Sequence, residues 1–291
     1  MYLEKKSPCK VNLLLNVLGR RSDGFHELET ILHPVNVFDK LVMERGGTGI
    51  VLLCSEPSLP TDEKNLVHRA ASAFLEAVGT VEGVKIRLEK KIPLAAGLGG
   101  GSGNAATTLL GLNELFGKPL PDVKLVELAK AIGSDVSFFL QDQPALATGR
   151  GEEIRSLEFF SALRGKAFLL IHPGFGISTP WAYQNLARFP EALNGRRGRA
   201  AEFISKLRTS DWLSVANGFY NSLEAPALDK FPILELYQDF LRGNGALAAL
   251  MSGSGSTTFA VVEDVIRGEV LLEKFKVKFG DHCWSLVVAI S

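Results

Sequence analysis

A glycine-rich run at residues 93–106 limits the folds open to this chain, because it carries five glycines within seven consecutive positions. Residues 84–92, before the run, alternate apolar and charged side chains, as a half-buried strand does. Residues 104–116, after it, repeat apolar side chains at helical spacing, and Ser102 or Asn104 could serve as the N-cap. The sequence therefore predicts a strand, a glycine loop and a helix in that order.

A glycine loop that opens a helix is suited to binding an anion. Its backbone N–H groups are unpaired, and the positive end of the helix dipole points at the loop. Glycine also lets a ligand approach the backbone closely, and we expect a positive φ at Gly100. The loop is not a Walker A motif, because no Gly-Lys-Ser/Thr closes it, and it lacks the Rossmann Gly-x-Gly-x-x-Gly pattern. A flexible turn that binds nothing is the alternative.

The charge balance and the cysteines exclude several classes of function. Lysine plus arginine and aspartate plus glutamate number 32 each, so the net charge is zero and nothing favours nucleic acid or an acidic membrane surface as a partner. The three cysteines are scattered, which favours a reducing compartment over a disulfide framework or a metal cluster. The start of the chain has no apolar signal segment, and no apolar run approaches the ~20 residues of a membrane span. We therefore expect a cytoplasmic protein.

In the first half, the strand pattern places two polar side chains on a common face. Within residues 2–18 we predict two strands broken near Ser7-Pro8, and the two-residue period directs Lys10 and Asn12 to the same side. The glycines and the Asp-Gly pair at residues 19–24 predict a turn. The remaining predicted elements are strands at 28–37 and 38–45, with Asp39 near the turn between them, a strand at 49–54 and a helix at 65–78.

Asp135 lies where one predicted helix ends and another begins. Asp122 could cap the first helix, which runs to Ile132, and Gly133 ends it. Ser134 or Asp135 could then start the next helix, which gives Asp135 a purely structural interpretation as an N-cap. A catalytic carboxylate is the other interpretation, and the residues alone do not decide between the two. Residues 145–155 are predicted to form strands or a hairpin that closes the first unit.

The second half has the element order of a split βαβ, ferredoxin-like unit. From residue 166 the pattern predicts a strand, helices, two strands, a helix and a final strand, with a second glycine turn at 252–256. We place the division of the chain between residues 1–156 and 157–291. Four arginines within residues 188–199 are typical of an exposed loop, and phosphate binding is the alternative.

Four separated segments resemble one family of phosphotransferases. The glycine loop is similar to the phosphate loop of the GHMP kinase superfamily, residues 251–259 resemble its third motif, and residues 133–139 resemble its catalytic aspartate segment. Residues 7–28, in which Arg21-Ser-Asp-Gly-Phe-His26 follows a Lys-x-Asn strand, narrow the resemblance to the 4-diphosphocytidyl-2-C-methyl-D-erythritol kinase family. The resemblance implies an α+β, two-domain GHMP kinase fold. Its N-terminal unit would be a ribosomal-protein-S5-domain-2-like α/β unit and its C-terminal unit would be ferredoxin-like.

The resemblance also implies an activity and a set of site residues. The activity is ATP-dependent phosphorylation of the 2-hydroxyl of 4-diphosphocytidyl-2-C-methyl-D-erythritol in the non-mevalonate isoprenoid (terpenoid) pathway, with Mg²⁺ expected. The catalytic residues implied are Lys10 and Asp135. The substrate-binding residues implied are Asn12, Phe25, His26, Thr179 and Tyr183. The ATP-binding residues implied are Pro93, Ala95, Ala96, Gly97, Leu98, Gly99, Gly100, Gly101, Ser102, Gly103 and Asn104.

The resemblance leaves the metal ligands and two other activities open. Its implied partners are ATP and a small cytidyl diphosphate substrate, without nucleic acid or membrane, and we expect a monomer or a homodimer. Metal ligands are unassigned, with Ser102 and Thr107 as candidates. Three positions depart from the family pattern, because Gly103 replaces a common Ser, Phe25 a common Tyr, and Ser222 the Asp of a common Asn-Asp pair. The alternatives are another small-molecule kinase of the GHMP superfamily and a non-catalytic nucleotide-binding module.

Overall fold

The computed structural model describes residues 2–209 and 211–290, whose backbone forms two compact units. The first unit comprises the chain up to Cys9, Val37–Ile92 and Gly99–Asp142. The second unit comprises Lys10–Asn36, Pro93–Leu98 and the chain from Gln143 onward. Each unit is therefore assembled from three separate segments of the chain.

Most elements form where the sequence pattern predicts them. The strands are β1 (Tyr2–Arg20), β2 (His26–Arg45), β3 (Ile50–Cys54), β4 (Val84–Glu89), β5 (Ala145–Thr148), β6 (Glu153–Ser156), β7 (Ala167–His172), β8 (Tyr220–Asn221), β9 (Ala248–Met251), β10 (Thr258–Val262) and β11 (Trp284–Ala289). The helices are α1 (Leu66–Val78), α2 (Gly100–Leu115), α3 (Asp122–Ile132), α4 (Thr179–Leu186), α5 (Pro190–Leu193), α6 (Arg199–Leu207), α7 (Trp212–Ala216), α8 (Glu224–Lys230), α9 (Ile233–Gly243) and α10 (Val265–Phe279). Within the described ranges, none of these helices combines the length and the apolar character that a membrane crossing requires.

The compact units do not follow the predicted division at 156/157. The strands β1 and β2 are long enough for each to contribute one end to the first unit and the other end to the second. As a boundary between family domains, 156/157 stays a prediction. Its outer limits, Met1 and Ser291, lie outside the described residues.

Two strand breaks predicted from the sequence are wrong. The strand β1 continues through Ser7 and Pro8, because proline suits an extended backbone and lacks only the N–H donor. The strand β2 continues through Asp39, whose side chain is fully buried. Its carboxylate accepts backbone hydrogen bonds from Lys91 (2.7 Å) and Ile92 (2.9 Å), so the buried charge has partners and no turn is needed.

The first unit packs its helices beside a short set of strands. The strand β4 pairs in parallel with β3, and it pairs antiparallel with the C-terminal end of β2, in a register that opposes Lys40 to Glu89. Asn65 caps α1 through its side chain, which accepts from the Val67 N–H, and Gly79 ends that helix at φ 69°. The helices α1, α2 and α3 pack on one another, which positions the start of α2.

The second unit contains a predicted hairpin and a predicted ferredoxin-like sheet. The hairpin of β5 and β6 is confirmed, and β5 pairs antiparallel with β2 at Thr30–Leu32. The strand β8 pairs in parallel with β1 at Leu14 and Leu15. The other sheet has the antiparallel order β11-β7-β10-β9, and α9 and α10 cover it with a core that includes Ile171, Tyr237 and Phe275. This order confirms the ferredoxin-like prediction, with additional helices in the first crossover.

Candidate active site

The side chain of Lys10 joins strand β1 to the glycine loop within the second unit. It is buried on β1, and its Nζ donates to Asn12 Oδ1 (2.6 Å) and to the carbonyl oxygen of Gly97 (2.6 Å). The backbone N–H of Lys10 donates to the carbonyl oxygen of Leu98 at 2.9 Å. The prediction that Lys10 and Asn12 share a face is therefore confirmed, and the same lysine is bonded to the glycine loop.

Asn12 is held in one orientation by its other neighbours. Its Nδ2 donates to Thr30 Oγ1 at 2.9 Å, and that hydroxyl donates to the carbonyl oxygen of Leu14 at 2.5 Å. Because the amide nitrogen is bonded to Thr30, the amide oxygen faces the ammonium group of Lys10. A buried ammonium with defined acceptors is suited to holding negative charge in a fixed place.

The second glycine turn contacts both Lys10 and the glycine loop. Ser252 Oγ donates to the carbonyl oxygen of Gly97 at 3.0 Å, and a Cβ on Gly97 would lie 1.9 Å from the Ser252 carbonyl oxygen. A Cβ on Gly253 would lie 3.1 Å from Lys10 Nζ and 3.2 Å from Asn12 Oδ1. The Ser-Gly-Ser-Gly-Ser repeat predicts this turn, but the sequence indicates no site residue within it. The repeat does not show that the turn contacts Gly97, which lies 155 positions away.

Asn221, the last residue of the short strand β8, supports this turn, and Ser222 follows it in the chain. Asn221 Nδ2 donates to the carbonyl oxygens of Met251 and Gly253, both at 2.8 Å. Ser222 Oγ accepts the backbone N–H of Val17 at 2.9 Å. The serine that departs from the family's Asn-Asp pair is therefore a backbone acceptor for β1.

The start of α2, in the first unit, offers backbone donors. The N-cap is Gly99 at φ 69°, so the predicted caps Ser102 and Asn104 are wrong, and no side chain caps this end. Asn104 lies inside the helix, where its buried side chain bonds to other residues. The first helical hydrogen bond runs from the Gly103 N–H to the Gly99 carbonyl oxygen at 2.9 Å. The N–H groups of the three preceding residues have no intrahelical acceptor, which makes this end suitable for phosphate.

The glycines of the loop serve different purposes from those predicted. Positive φ occurs at Gly97 (76°) and Gly99 (69°), whereas Gly100 is helical, so the expected positive φ at Gly100 is wrong. A Cβ on Gly100 would still lie 3.0 Å from Ile92 Cγ2. A Cβ on Gly103 would lie 2.4 Å from the carbonyl oxygen of Pro8. A side chain at position 103 would therefore displace β1, which accounts for the glycine there.

Asp135 lies in a half-buried turn of the first unit, after α3. Gly133 ends α3 as predicted: its N–H donates the last helical bond, to the Ala129 carbonyl oxygen, and its own backbone is extended (φ 178°, ψ 154°). The N-cap of α3 is Pro121, so the predicted cap Asp122 is wrong. The helix expected to begin at Ser134 or Asp135 is wrong, since only a 3-10 turn forms, at Ser137–Leu140 with Val136 in the N-cap position. The capping interpretation of Asp135 therefore loses its support. The pairing of Asp135 with Lys10 of the second unit stays a prediction.

The predicted substrate residues of the second unit fall into three groups. The rings of His26 and Tyr183 stack with centroids 5.0 Å apart and planes at 29°. Phe25 is 54% exposed, and the guanidinium of Arg150 lies 4.8 Å above its ring. Thr179 Oγ1 shares a hydrogen bond of 2.9 Å with Ser254 Oγ in the second glycine turn. Burial, followed by the charge of the nearby Arg20, lowers the pKa of His26, which favours its neutral ring.

The arginines of residues 188–199 have neighbours within the unit that favour the exposed-loop interpretation. Arg188 pairs with Asp229 at 3.4 Å, and Arg196 pairs with Glu202 across the start of α6. The guanidinium of Arg199 stacks 3.7 Å above the ring of Tyr220. These contacts give Arg188, Arg196 and Arg199 partners within the second unit, and phosphate binding stays the alternative interpretation.

Glu224, beside the second glycine turn, is a half-buried glutamate that the sequence does not single out. Its Oε1 accepts the backbone N–H of Met251 (2.7 Å) and the side-chain N–H of Gln238 (2.7 Å). Burial raises the pKa of Glu224 to about 7, although these hydrogen bonds and the charge of Arg242 oppose the rise. No local sequence pattern distinguishes this glutamate from an exposed helical one.

We expect Glu224→Gln to flatten the pH dependence of stability. The folded-state pKa lies above the ordinary 4.5, so the folded protein binds the extra proton, and its stabilisation is lost as the pH rises through about 7. The effect amounts to about 3 kcal/mol at most. The variant should therefore melt at a higher temperature than the parent at pH 8, with a smaller gain at pH 5. Melting curves at both pH values measure this, and an equal gain at both would contradict it.

Comparisons with known proteins identify the family to which this chain belongs. The GHMP kinases N terminal domain matches residues 65–150, and the GHMP kinases C terminal domain matches residues 203–279. A protein of Acaryochloris marina named 4-diphosphocytidyl-2-C-methyl-D-erythritol kinase is 37% identical over 97% of this chain and 94% of its own. One of the same name from Syntrophotalea carbinolica is 39% identical over 96% of each chain.

Solved structures extend the similarity to the fold. A crystal structure of 4-(cytidine 5'-diphospho)-2C-methyl-D-erythritol kinase superposes with a TM-score of 0.79 at 35% identity, covering 99% of both chains. Homoserine kinase from Cytophaga hutchinsonii superposes with a TM-score of 0.78 at 20% identity, covering 100% of this chain and 94% of its own, and it shows the fold alone. The predicted α+β, two-domain GHMP kinase fold is thereby confirmed.

Proposed function

Because this chain belongs to the 4-diphosphocytidyl-2-C-methyl-D-erythritol kinase family, we propose that it transfers the γ-phosphoryl group of ATP to the 2-hydroxyl of 4-diphosphocytidyl-2-C-methyl-D-erythritol. This reaction is a step of the non-mevalonate isoprenoid pathway. The observation that carries the proposal is the buried ammonium of Lys10, which bonds to Asn12 of the same strand and to Gly97 of the glycine loop. We also propose that the protein works in the cytoplasm, as a monomer or a homodimer.

ATP binding follows from the start of α2 and the loop before it. Phosphoryl transfer needs positioning and charge stabilisation more than covalent chemistry by the protein. The uncapped N–H groups at the start of α2 would bind the phosphates of ATP, assisted by the helix dipole. We assign the loop from Pro93 to Asn104 to this role, with Gly97 and Gly99 supplying its left-handed turns.

Proton transfer is assigned to Asp135 and charge stabilisation to Lys10. The substrate's 2-hydroxyl loses its proton to the carboxylate of Asp135 as its oxygen forms a bond to the γ-phosphorus. The bond from that phosphorus to the β–γ bridging oxygen breaks, and ADP leaves with the electron pair. The ammonium of Lys10 would stabilise the negative charge that develops on the attacking oxygen.

The hydroxyl of Ser102, at the start of α2, would hold a Mg²⁺ ion, which would supply positive charge beside the phosphates. Among the described residues, no group of three or more His, Cys, Asp or Glu side chains could hold a metal alone. Mg²⁺ usually keeps several waters and binds substrate phosphates, so it needs few protein ligands. Ser102 offers a hydroxyl in the first turn of α2, whereas Thr107 is buried. We propose Ser102 as the ligand, and the bound ion would neutralise phosphate charge.

Cytidine recognition is assigned to the stacked pair His26 and Tyr183 together with the exposed ring of Phe25. Aromatic stacking holds any base, so selection of cytosine needs a polar contact to the ring edge, which His26 could supply. Asn12 and Thr179 are assigned to the rest of the substrate. The departure from tyrosine to Phe25 keeps the stacking face and removes one hydroxyl.

We expect Phe25→Ala to raise the KM for the cytidyl substrate by about ten- to a hundredfold, because one stacking face is lost. His26→Ala should also raise this KM, and it should reduce the ratio by which the cytidyl compound is preferred over its uridyl analogue. Both variants should keep the parent KM for ATP. Phe159→Ala is the matched control, since Phe159 is a similarly exposed ring (45%) of the same unit. A parent-like KM in Phe25→Ala would remove that ring from the substrate site.

A substrate panel tests the proposed function against its alternatives. Purified protein is incubated with ATP and, in turn, the cytidyl compound, mevalonate and homoserine, while ADP release is followed. We expect turnover of the cytidyl compound only. Efficient turnover of mevalonate or homoserine without the cytidyl compound would favour another GHMP kinase activity. ATP binding without turnover of any of them would favour a non-catalytic module.

A further inference from the structure

A buried polar cluster lies beside the start of α2, and it includes a carboxylate that the proposed mechanism does not use. Asp39, on β2, has no exposed surface, and the side chain of Lys90 is only 6% exposed. All members of the cluster belong to the first unit: Ser7, Asp39, Lys90, Lys91, Ile92 and Asn104. The cluster therefore requires no contribution from the second unit.

Asp39 is bonded on both carboxylate oxygens. One oxygen, Oδ1, accepts the backbone N–H groups of Lys91 (2.7 Å) and Ile92 (2.9 Å), in the chain that enters the glycine loop. The other, Oδ2, accepts Asn104 Nδ2 at 2.9 Å and forms an ion pair with Lys90 Nζ. A single side chain thus joins a central strand, the entrance of the loop and the helix that follows it.

Asn104 and Lys90 complete the cluster. Asn104 Oδ1 accepts Lys90 Nζ at 3.1 Å, and Asn104 Nδ2 also donates to Ser7 Oγ at 2.9 Å. The ammonium of Lys90 lies close to the first residue of α2, because a Cβ on Gly100 would be 3.4 Å from Lys90 Nζ. The cluster therefore fixes α2 next to the N–H groups to which the phosphates of ATP are assigned.

Stability alone does not account for such a cluster. A buried ion pair is seldom more stable than well-packed apolar residues of the same volume, because desolvation offsets the attraction. A fully bonded polar network does, however, fix one geometry, and loss of one member leaves the others buried without partners. Because this cluster lies at the start of a candidate phosphate-binding helix, its role is to fix the position of that helix end.

We propose that Asp39 is a positioning residue for ATP, which holds the start of α2 and the entrance of the glycine loop in the geometry that the phosphates require. The inference rests on the proposed function, because it assigns the phosphates to this helix end. Asp39 itself touches neither ATP nor the reacting atoms in this account. It acts through the backbone of Lys91 and Ile92 and through the side chain of Asn104.

The test is the kinetics of Asp39→Asn. The amide retains one oxygen for the two backbone donors, but it offers an N–H₂ group where Lys90 and Asn104 both need an acceptor. We expect the KM for ATP to rise by about ten- to a hundredfold, as for a small displacement of a binding group. The KM for the cytidyl substrate should stay at the parent value. A parent-like KM for ATP in the folded variant would overturn the proposal.

Asn113→Ala is the matched control, because Asn113 is buried on the same helix at its other end. Its side chain makes two hydrogen bonds with the backbone of Leu120, both of 3.0 Å. This variant should melt at a lower temperature than the parent and keep the parent KM for ATP. An equal rise of that KM in Asn113→Ala and Asp39→Asn would show a general effect of destabilising α2 and would overturn the positioning role.

Two further measurements keep the test decisive. If Asp39→Asn does not fold, Ser7→Ala removes only the bond to Asn104 and should raise the KM for ATP by about two- to fivefold, as a single modest hydrogen bond would. A parent-like KM in Ser7→Ala would then overturn the proposal. Amide hydrogen exchange without ATP should be faster in Asp39→Asn and in Ser7→Ala than in the parent at the first hydrogen-bonded amides of α2, from Gly103 onward. If the parent protein proves inactive, the proposed function fails, while this exchange result still decides whether Asp39 fixes the helix.

Discussion

Asp135→Asn should lower the turnover number by about 10²–10⁴-fold, the usual loss when a general base is removed. Asparagine has nearly the same shape as aspartate but cannot accept the proton of the substrate's hydroxyl. The variant should fold, because Asp135 lies in a half-buried turn and not at the N-cap of a helix. ADP release measures the turnover, and calorimetry should show nearly unchanged binding of ATP.

The matched control is Asp122→Asn, the same chemical change at an exposed position of the same unit. Asp122 is the first residue of α3, so this variant should lose only a small part of its stability and keep its turnover. Parent-like turnover in Asp135→Asn would remove Asp135 from the mechanism. Equal losses in the two variants would point to a general effect on the first unit.

Gly97→Ala should abolish most of the activity, with a fall in turnover of about 10²-fold or more, because displacement of a catalytic group by about 1 Å has this effect. The new Cβ would lie 1.9 Å from the Ser252 carbonyl oxygen, so one of the two glycine turns must move. The Gly97 carbonyl oxygen is also an acceptor for Lys10 Nζ, so the ammonium would move with the loop. Steady-state kinetics measure this loss.

Gly117→Ala separates the steric effect from backbone strain. Gly117 has a positive φ of 80°, similar to the 76° of Gly97, but a Cβ there would meet no atom within 4 Å. Its substitution should lower the free energy of unfolding by about 1–2 kcal/mol and leave turnover unchanged. Turnover that survives in Gly97→Ala would show that close contact between the two turns is not required for catalysis.

The fold could be predicted where local periodicity matches the tertiary environment. The second half has short apolar strands bounded by turns, and its element order determines a ferredoxin-like sheet. The breaks predicted near Pro8 and Asp39 are wrong, because proline and aspartate usually interrupt strands but both lie within continuous strands here. The carboxylate of Asp39 is tolerated in a strand because donors at Lys91 and Ile92, about fifty residues away, satisfy it. Such partners cannot be found from sequence spacing.

The candidate site shows the same division between local and distant information. The two-residue period places Lys10 beside Asn12, and the bond between their side chains confirms it. The contact of Ser252 with Gly97 joins residues 155 positions apart, which periodicity cannot predict. The predicted caps of α2, Ser102 and Asn104, lie after the true N-cap Gly99. Gly99 has a left-handed conformation and starts the helix without a side-chain acceptor, so no capping side chain marks this position in the sequence. The raised pKa of Glu224 likewise depends on tertiary packing, which removes water from around the carboxyl group.

Phosphorus NMR of the reaction product shows whether the protein transfers phosphate to the 2-hydroxyl of the cytidyl substrate. The protein is incubated with ATP, Mg²⁺ and 4-diphosphocytidyl-2-C-methyl-D-erythritol, and the spectrum is followed over time. We expect one new signal, from a phosphomonoester at the 2-oxygen, together with the signals of ADP and of an intact cytidyl diphosphate. Loss of the ATP signal without a new phosphomonoester, phosphate on another oxygen, or cleavage of the cytidyl diphosphate would contradict it.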